Sequence, residues 1–259
     1  EEFLATGTRL GMRQLSLAAA LNHGRVPVRA RPRVAIIATG DELVAPGSEL
    51  GPNQIVASNS FGIAALVETM GGMAIDLGII ADDRAALAAA IDRAAASGAD
   101  ILVTLGGASV GEHDIVREVL IGRGMDLDFW KIAMRPGKPL MFGTIGPMRV
   151  LGLPGNPVSS LVCALLFLKP LLRRLLGLEL VDETETAELG GPVRENDRRQ
   201  DYVRASLVDL PDGRRIATPL RRQDSSMLST FAQAICLIVR PPLAAAAPKG
   251  AACRVLRLP

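Results

Sequence analysis

Acidic side chains in this sequence arrive at the ends of apolar runs. Val34 to Ala38 has no polar alternation, the pattern of a strand covered on both faces, and it stops at Thr39-Gly40-Asp41-Glu42. Met73 to Ile80 reads as a second strand and stops at Asp82-Asp83. A third run, led by Asp100, ends at Gly106-Gly107. It passes through Ala108-Ser109-Val110-Gly111-Glu112-His113 and closes on Asp114, just before the helical stretch Ile115 to Leu120. Ligands of an open parallel sheet bind outside the carboxyl ends of its strands, so Glu42, Asp82 and Asp114 are expected on one rim. Any one of these acids is also explained as a helix N-cap or a solvated turn. As a set they demand more. Two carboxylates ~4 Å apart repel by about 4 kcal/mol at an effective dielectric of 20. Convergent acids therefore call for a cation such as Mg²⁺ or for raised pKa values. The loop with Gly106, Gly107, Ser109 and Gly111 is either a tight turn or a cradle for phosphate or another oxyanion. Glycine leaves backbone N–H groups unobstructed, and a following helix N-terminus favours an anion.

Cations follow. The strand-like run Phe129 to Met134 contains Lys131 and exits into Arg135-Pro136-Gly137-Lys138-Pro139, where two prolines fix the direction of the turn. Lys131, Arg135 and Lys138 beside carboxylates and a phosphate-sized loop make a site for a charged, phosphorylated ligand. Pro154-Gly155-Asn156-Pro157 is a helix start, with Asn156 suited to the N-cap and Pro157 to the first helical position. Val158 to Leu168 is apolar nearly all round, so that helix is expected to be buried, and Pro170 to kink or end it. Asn59 can cap an earlier helix that runs through Met70 and stops at Gly71-Gly72.

The elements around these residues alternate strand and helix from Arg33 to Gly177, then change texture. Tyr202 to Leu210 and Arg214 to Pro219 flank Pro211-Asp212-Gly213, a hairpin signal. Ile235 to Arg240 and Cys253 to Leu258 supply two more strands, with one or two helical turns within Ser225 to Gln233. Three parts are predicted: a lead-in segment 1–31, an α/β domain 32–177 and a small β-rich domain 178–259. The fold class is α/β, a three-layer open and mostly parallel sheet followed by a small β-barrel-like domain. The chain opens Glu1-Glu2-Phe3 without methionine, as a fragment would. Its 259 residues carry 29 basic and 27 acidic side chains, a net charge of +2, so no global field argues for nucleic acid or a membrane surface. Aromatics are 3% of the chain, which disfavours stacking platforms for single strands. Cys163, Cys236 and Cys253 are isolated and read as reduced core residues, and His23 and His113 are too far apart in sequence for a histidine metal cluster. Without a spanning apolar run or a signal peptide, the expected location is cytoplasmic.

Six segments together resemble the molybdopterin molybdenumtransferases, a family that includes the carboxy-terminal domain of gephyrin. They are Thr39 to Leu43, Ser58-Asn59-Ser60, Ile79 to Asp83, Gly106 to Asp114, Trp130-Lys131 with Arg135 to Pro139, and Gly152 to Ser159. The resemblance covers essentially the whole chain and is strongest from Arg33 to Gly177. It implies a molybdopterin-binding type of sheet. It also implies an enzyme that takes adenylated molybdopterin and molybdate, cleaves the adenylate with Mg²⁺ and releases AMP. Carried over, Glu42, Asp82 and Asp114 resemble the functional acids and metal ligands, Lys131 and Arg135 the functional cations, and Lys138 a neighbouring one. Asn59, Gly106, Gly107, Ser109, Gly111 and Pro154 to Pro157 (Pro154, Gly155, Asn156, Pro157) would contact substrate. The family has two further domains before the position of Arg33 and forms a homodimer in its full-length members. Ala108 stands where valine is usual, and Arg135 where lysine is common. Asp224-Ser225-Ser226 replaces a glycine-containing run, which leaves the second domain's ligand contacts open. A molybdopterin adenylyltransferase, a non-catalytic pterin-binding scaffold and a nucleotide-cleaving relative of the competence-damage type are the alternatives.

Overall fold

The computed structural model describes residues 2–106 and 114–259. In chain order the elements are α1 (Met12–Ala20), β1 (Arg33–Thr39), β2 (Leu43–Val44), β3 (Ile55–Val56), α2 (Asn59–Thr69), β4 (Met73–Ile80), α3 (Arg84–Ala96), β5 (Ile101–Leu105), α4 (Ile115–Gly122), β6 (Asp126–Trp130), β7 (Met134–Arg135), β8 (Met141–Ile145) and β9 (Met148–Leu153). There follow α5 (Pro157–Cys163), a π-helical turn (Ala164–Leu168), α6 (Lys169–Leu175), β10 (Thr184–Leu189), β11 (Gln200–Asp209), β12 (Arg215–Pro219), α7 (Leu228–Ala232), β13 (Cys236–Arg240) and β14 (Ala252–Arg257).

The first sheet has the order β4-β1-β5-β9-β8-β6. Its first four strands are parallel, and β8 pairs antiparallel with both β9 and β6. Alternate residues of β1 face opposite layers. Val34, Ile36 and Ala38 pack with Ile63 and Val67 of α2 and with Val158 and Val162 of α5. Ala35 and Ile37 pack with Leu87, Ala90 and Ile91 of α3 and with Val116, Val119 and Leu120 of α4. That double coverage is why the run lacks polar alternation, and it makes the lobe three layers deep. From β1 the chain moves outward through α2 to β4, then returns through α3 on the other face to β5, on the far side of β1. The direction of winding therefore reverses between β1 and β5, and a crevice opens at their carboxyl ends.

The second sheet has the order β12-β10-β14-β13-β11-β7, and β11 also pairs with β12. Strands β10 to β14 thus close into a five-stranded barrel around Ala187, Leu189, Ala205, Leu207, Ala217, Cys236, Ile238 and Val255. β7 belongs to the connection after β6, yet it pairs in parallel with the start of β11, Met134 opposite Gln200 and Arg135 opposite Asp201. The barrel also contributes Leu237 to the α/β core, so the lobes share packing as well as a ladder.

Three local expectations are corrected. The run Phe129 to Met134 is not one strand: β6 stops at Trp130 because Lys131 takes φ +70, a left-handed conformation, and pairing resumes only at β7. Asn59 is not the cap of α2, since Ser58 holds that position and Asn59 is the first helical residue. Pro170 does not end the helix. Its missing N–H is absorbed by the π-helical turn, where the Lys169 N–H reaches back five residues to the Ala164 carbonyl, and α6 continues to Leu175. The acid-rich Thr184 to Leu189 is the barrel strand β10; its inward positions are only Ala187 and Leu189, too few to show as an apolar run. The three cysteines are free, two of them buried. Among the described residues no helix is long and apolar enough to cross a membrane.

Candidate active site

Two strand ends meet at the crevice. Gly106, just past β5, takes φ +95, and a Cβ there would lie 2.5 Å from the Thr39 carbonyl oxygen at the end of β1. Only glycine lets the two strand ends approach so closely. Gly106→Ala is therefore expected to lower unfolding free energy by about 3 kcal/mol, measured by urea denaturation. From these ends a hollow of about 880 Å³ opens, lined by Glu42, Asp82 and Asp114 together with Asn59, Gly106 and Pro154 to Pro157. The predicted acids thus share one rim. Gly107, Ser109 and Gly111 lie outside the described residues.

Each acid is placed by a different local device. Glu42 leads into β2, whose parallel pairing with β3 ties down the loop after β1, with the Ile55 N–H donating to the Glu42 carbonyl at 2.8 Å. Asp83, not Asp82, caps α3 by accepting the Ala86 N–H at 2.8 Å, which leaves the Asp82 carboxyl to line the hollow. Burial raises the Asp82 pKa, and the nearby Asp41 and Glu42 carboxylates raise it further. Asp114 caps α4 through one oxygen, which accepts the Arg117 N–H at 3.0 Å. Its other oxygen is buried without a hydrogen-bond partner, and burial raises this pKa too. An orphaned carboxylate oxygen in a rim of mutually repelling acids fits a divalent cation. Among the described residues, no three acid, histidine or cysteine side chains stand close enough together to hold a metal unaided. Mg²⁺ does not need such a set, since it is commonly bound by one or two carboxylates plus substrate phosphate.

The Pro154-Gly155-Asn156-Pro157 segment is the hollow's far wall. Asn59 Nδ2 donates to the Gly155 carbonyl at 2.8 Å, which is what this asparagine does instead of capping α2. Asn156 occupies the N-cap position of α5, but its side-chain amide donates to Ser225 Oγ at 3.1 Å rather than folding back on its own helix. The Ser225 carbonyl in turn accepts the Val158 N–H at 3.0 Å. The second domain thus supplies the cap, a role for Ser225 that its sequence neighbourhood does not announce.

The cations are not in the acids' hollow. Arg135 and Lys138 line a second hollow of about 920 Å³ between the proline turn and the barrel, which shares Pro139 and Asn156 with the first. The expectation of one common hollow is corrected to two that adjoin, because β7 carries the turn over to the barrel. Arg135 is engaged there by Asp201 at 2.6 Å, with Asn196 and Asp197 at 3.3 and 3.4 Å. It is therefore a clasp between the lobes more than a cation held open for a ligand. Lys131 lines neither hollow. Its ammonium lies 3.6 Å from the centroid of the Trp130 ring, which the Arg117 guanidinium also approaches at 3.8 Å. Since Asp114 caps the helix that bears Arg117, Lys131 stands three contacts from the acid rim, through Trp130 and Arg117.

One further residue lines the second hollow. Arg204 is 2% exposed, and its Nε and Nη1 have no hydrogen-bond partner. Burial holds its guanidinium below the ordinary arginine range, while Asp201 and Asp224 act in the opposite direction. A buried guanidinium in a hollow also lined by Lys138, Asn156 and Ser225 has the donor chemistry that suits an oxyanion. Sequence reasoning passes over it because Arg204 sits on the outward face of a barrel strand, where an arginine is normally solvated. The hollow it lines has walls from both lobes, Asn156 and Ser159 from one and Gln223 and Asp224 from the other.

Residues 35–174 match a family described as a probable molybdopterin binding domain, and residues 186–258 match one described as the MoeA C-terminal region, domain IV. The chain belongs to the molybdopterin molybdenumtransferase family. It is 39% identical over 217 residues to the molybdopterin molybdenumtransferase of Nostoc sp., a match covering 82% of this chain and 49% of that protein. It is 35% identical over 238 residues to the Haemophilus influenzae protein of that name, covering 91% and 58%. Its fold matches the crystal structure of the molybdopterin biosynthesis moeA protein from Pyrococcus horikosii with a TM-score of 0.82 and 31% identity, over 97% of this chain and 60% of that one. The chain spans about half the length of the curated molybdopterin molybdenumtransferases it matches.

Proposed function

We propose that this chain forms the substrate-holding part of a molybdopterin molybdenumtransferase, which moves molybdenum from molybdate to adenylated molybdopterin with release of AMP. The observation that carries this reading is the pair of adjoining hollows, one acidic and one with a buried guanidinium, sharing the wall at Asn156 and Pro139. A phosphoanhydride whose charge needs a cation belongs in the first, and a tetrahedral oxyanion in the second. Arg204 and Lys138 would bind molybdate oxygens, with Ser225 as a hydroxyl donor beside them. Asp82 and Asp114 would hold Mg²⁺, with Glu42 adding its field to the same rim. Bound there, Mg²⁺ supplies charge neutralisation on the phosphoanhydride oxygens during cleavage. Gly106 and the Pro154 to Pro157 wall would fix the substrate's position, and Asn59 holds that wall in place. Lys131, outside both hollows, would meet phosphate charge on substrate that extends beyond the acid rim. The barrel supplies Arg204 and Ser225, so it favours this reading over a molybdopterin adenylyltransferase, which lacks a second domain of this kind. In this reading the working protein is a homodimer of a longer chain, with no nucleic acid or membrane partner.

The test uses the longer protein that carries this chain, incubated with adenylated molybdopterin, molybdate and Mg²⁺ while AMP release is followed. Lys131→Ala is expected to slow release at least about tenfold, the scale of a lost charge-assisted hydrogen bond. Release at the wild-type rate from both Lys131→Ala and Asp114→Asn proteins would sink the assignment.

A further inference from the structure

We propose that Trp130 is a positioning residue, whose ring holds the Lys131 ammonium in place for the anionic substrate. The inference rests on the functional assignment of Lys131 above. Neighbouring residues of a strand point to opposite faces, so Lys131 cannot reach the ring of Trp130 while β6 continues through it. The chain breaks the strand at that residue. Lys131 turns left-handed at φ +70, a conformation rare for a residue with a side chain, and so folds back over its own neighbour. Two backbone bonds fix the turn: the Lys131 N–H donates to the Leu140 carbonyl at 2.9 Å, and the Ile132 N–H to the Lys138 carbonyl at 3.0 Å. Ammonium and ring centroid then stand 3.6 Å apart, a close cation–π contact.

The ring itself is not held by its polar edge. Trp130 Nε1 is buried without a hydrogen-bond partner, although a buried tryptophan usually gives this N–H to an acceptor. What orients the ring is packing against the core beneath the sheet and the two cations, since the Arg117 guanidinium also approaches it, 3.8 Å from the centroid. Two like charges repel, yet both are attracted to the negative faces of one π-system. Arg117 stands in the first turn of the helix that Asp114 caps, so the ring links the lysine to the acid rim by direct contacts. Trp130 therefore sets where the Lys131 charge sits relative to the phosphate site without touching substrate.

The test is a double-mutant cycle on the full 259-residue chain, with inorganic pyrophosphate titrated in the presence of Mg²⁺ and followed by calorimetry. Lys131→Ala is expected to weaken binding at least about tenfold, Trp130→Leu about fivefold, and the double variant no more than Lys131→Ala alone. Trp130→Phe keeps an aromatic face and is expected to stay within about twofold of wild type. A tryptophan that merely fills space would cost the same factor with or without Lys131, and that additivity overturns the proposal while leaving the role of Lys131 standing. A silent Lys131→Ala overturns both. Trp130 is the only tryptophan in the chain, which gives a second readout that does not depend on the leucine variant folding. Its emission should change on Lys131→Ala substitution, and pyrophosphate should shift it in wild type but not in Lys131→Ala. Emission indifferent to both overturns the proposal.

Discussion

Replacing Arg204 by methionine is expected to abolish molybdate binding and at the same time raise the melting temperature. The guanidinium is 2% exposed with two nitrogens lacking partners, so the folded chain bears a desolvation cost that only partial compensation from Asp201 and Asp224 offsets. Exchanging a buried ion pair for packed apolar side chains is often neutral or stabilising by about 1–4 kcal/mol, and here Nε and Nη1 have no hydrogen-bonded partner to leave stranded. For a chain of this size each kcal/mol moves the midpoint by about 2–4 °C. An oxyanion entering the hollow meets the opposite balance, since it completes the arginine's hydrogen bonding. Its loss should cost at least about 100-fold in affinity, measurable by equilibrium dialysis. Arg204→Lys keeps the charge but not the planar fork, and should recover only part of that affinity. A variant that loses binding and also melts much earlier would mean that Arg204 holds the barrel rather than an anion.

Asp114→Asn should reduce Mg²⁺-dependent AMP release at least about 100-fold, the upper end of what even outer-shell changes cost at metal sites. Its stability signature is separate and has a definite sign. Burial raises the Asp114 pKa above its ordinary value of 3.8 in the folded protein. The folded state therefore holds this proton more tightly than the unfolded chain does. The resulting stability is fully present below 3.8 and is lost as pH rises through the raised folded value. Asparagine has nothing to ionise, and its side-chain oxygen can still accept the Arg117 N–H as a cap. The variant should thus melt above wild type at neutral pH, with the gap closing on acidification toward 3.8. Thermal melts at a series of pH values without metal check this. Added Mg²⁺ should narrow the gap by stabilising wild type alone.

How much of this was legible beforehand follows from which forces act locally. The apolar runs ending at Thr39 and Leu105 showed the central parallel strands, because a strand covered on both faces has nowhere to place polar residues, whereas the run ending at Ile80 is the half-exposed edge strand and carries Asp76. Their order across the sheet then put Glu42, Asp82 and Asp114 on one rim. The cations were a different matter. Lys131, Arg135 and Lys138 look equivalent in sequence, spaced around one proline turn. Yet a left-handed backbone turns the first onto a tryptophan, and Asp201, 66 residues away in the chain, takes hold of the second. Arg204 was silent for the same reason, since nothing in Tyr202-Val203-Arg204-Ala205 tells which face of a barrel strand another lobe will cover. Proline 170 misled because its cost was met by an adjustment of helical pitch that no residue preference announces.

The two-residue strand Met134–Arg135 has a consequence for anyone who would dissect or recombine this molecule. It leaves the α/β lobe, pairs with the start of β11, and returns through Lys138 into β8. A cut in the polar stretch after Leu178 severs no core segment. Even so, parting the lobes there would strip β7 of its neighbour and release Arg135 from Asp201. The halves are thus not interchangeable modules. A barrel borrowed from a distant homologue would have to bring a matching docking edge as well as its own fold, and the anion hollow would register any misfit first.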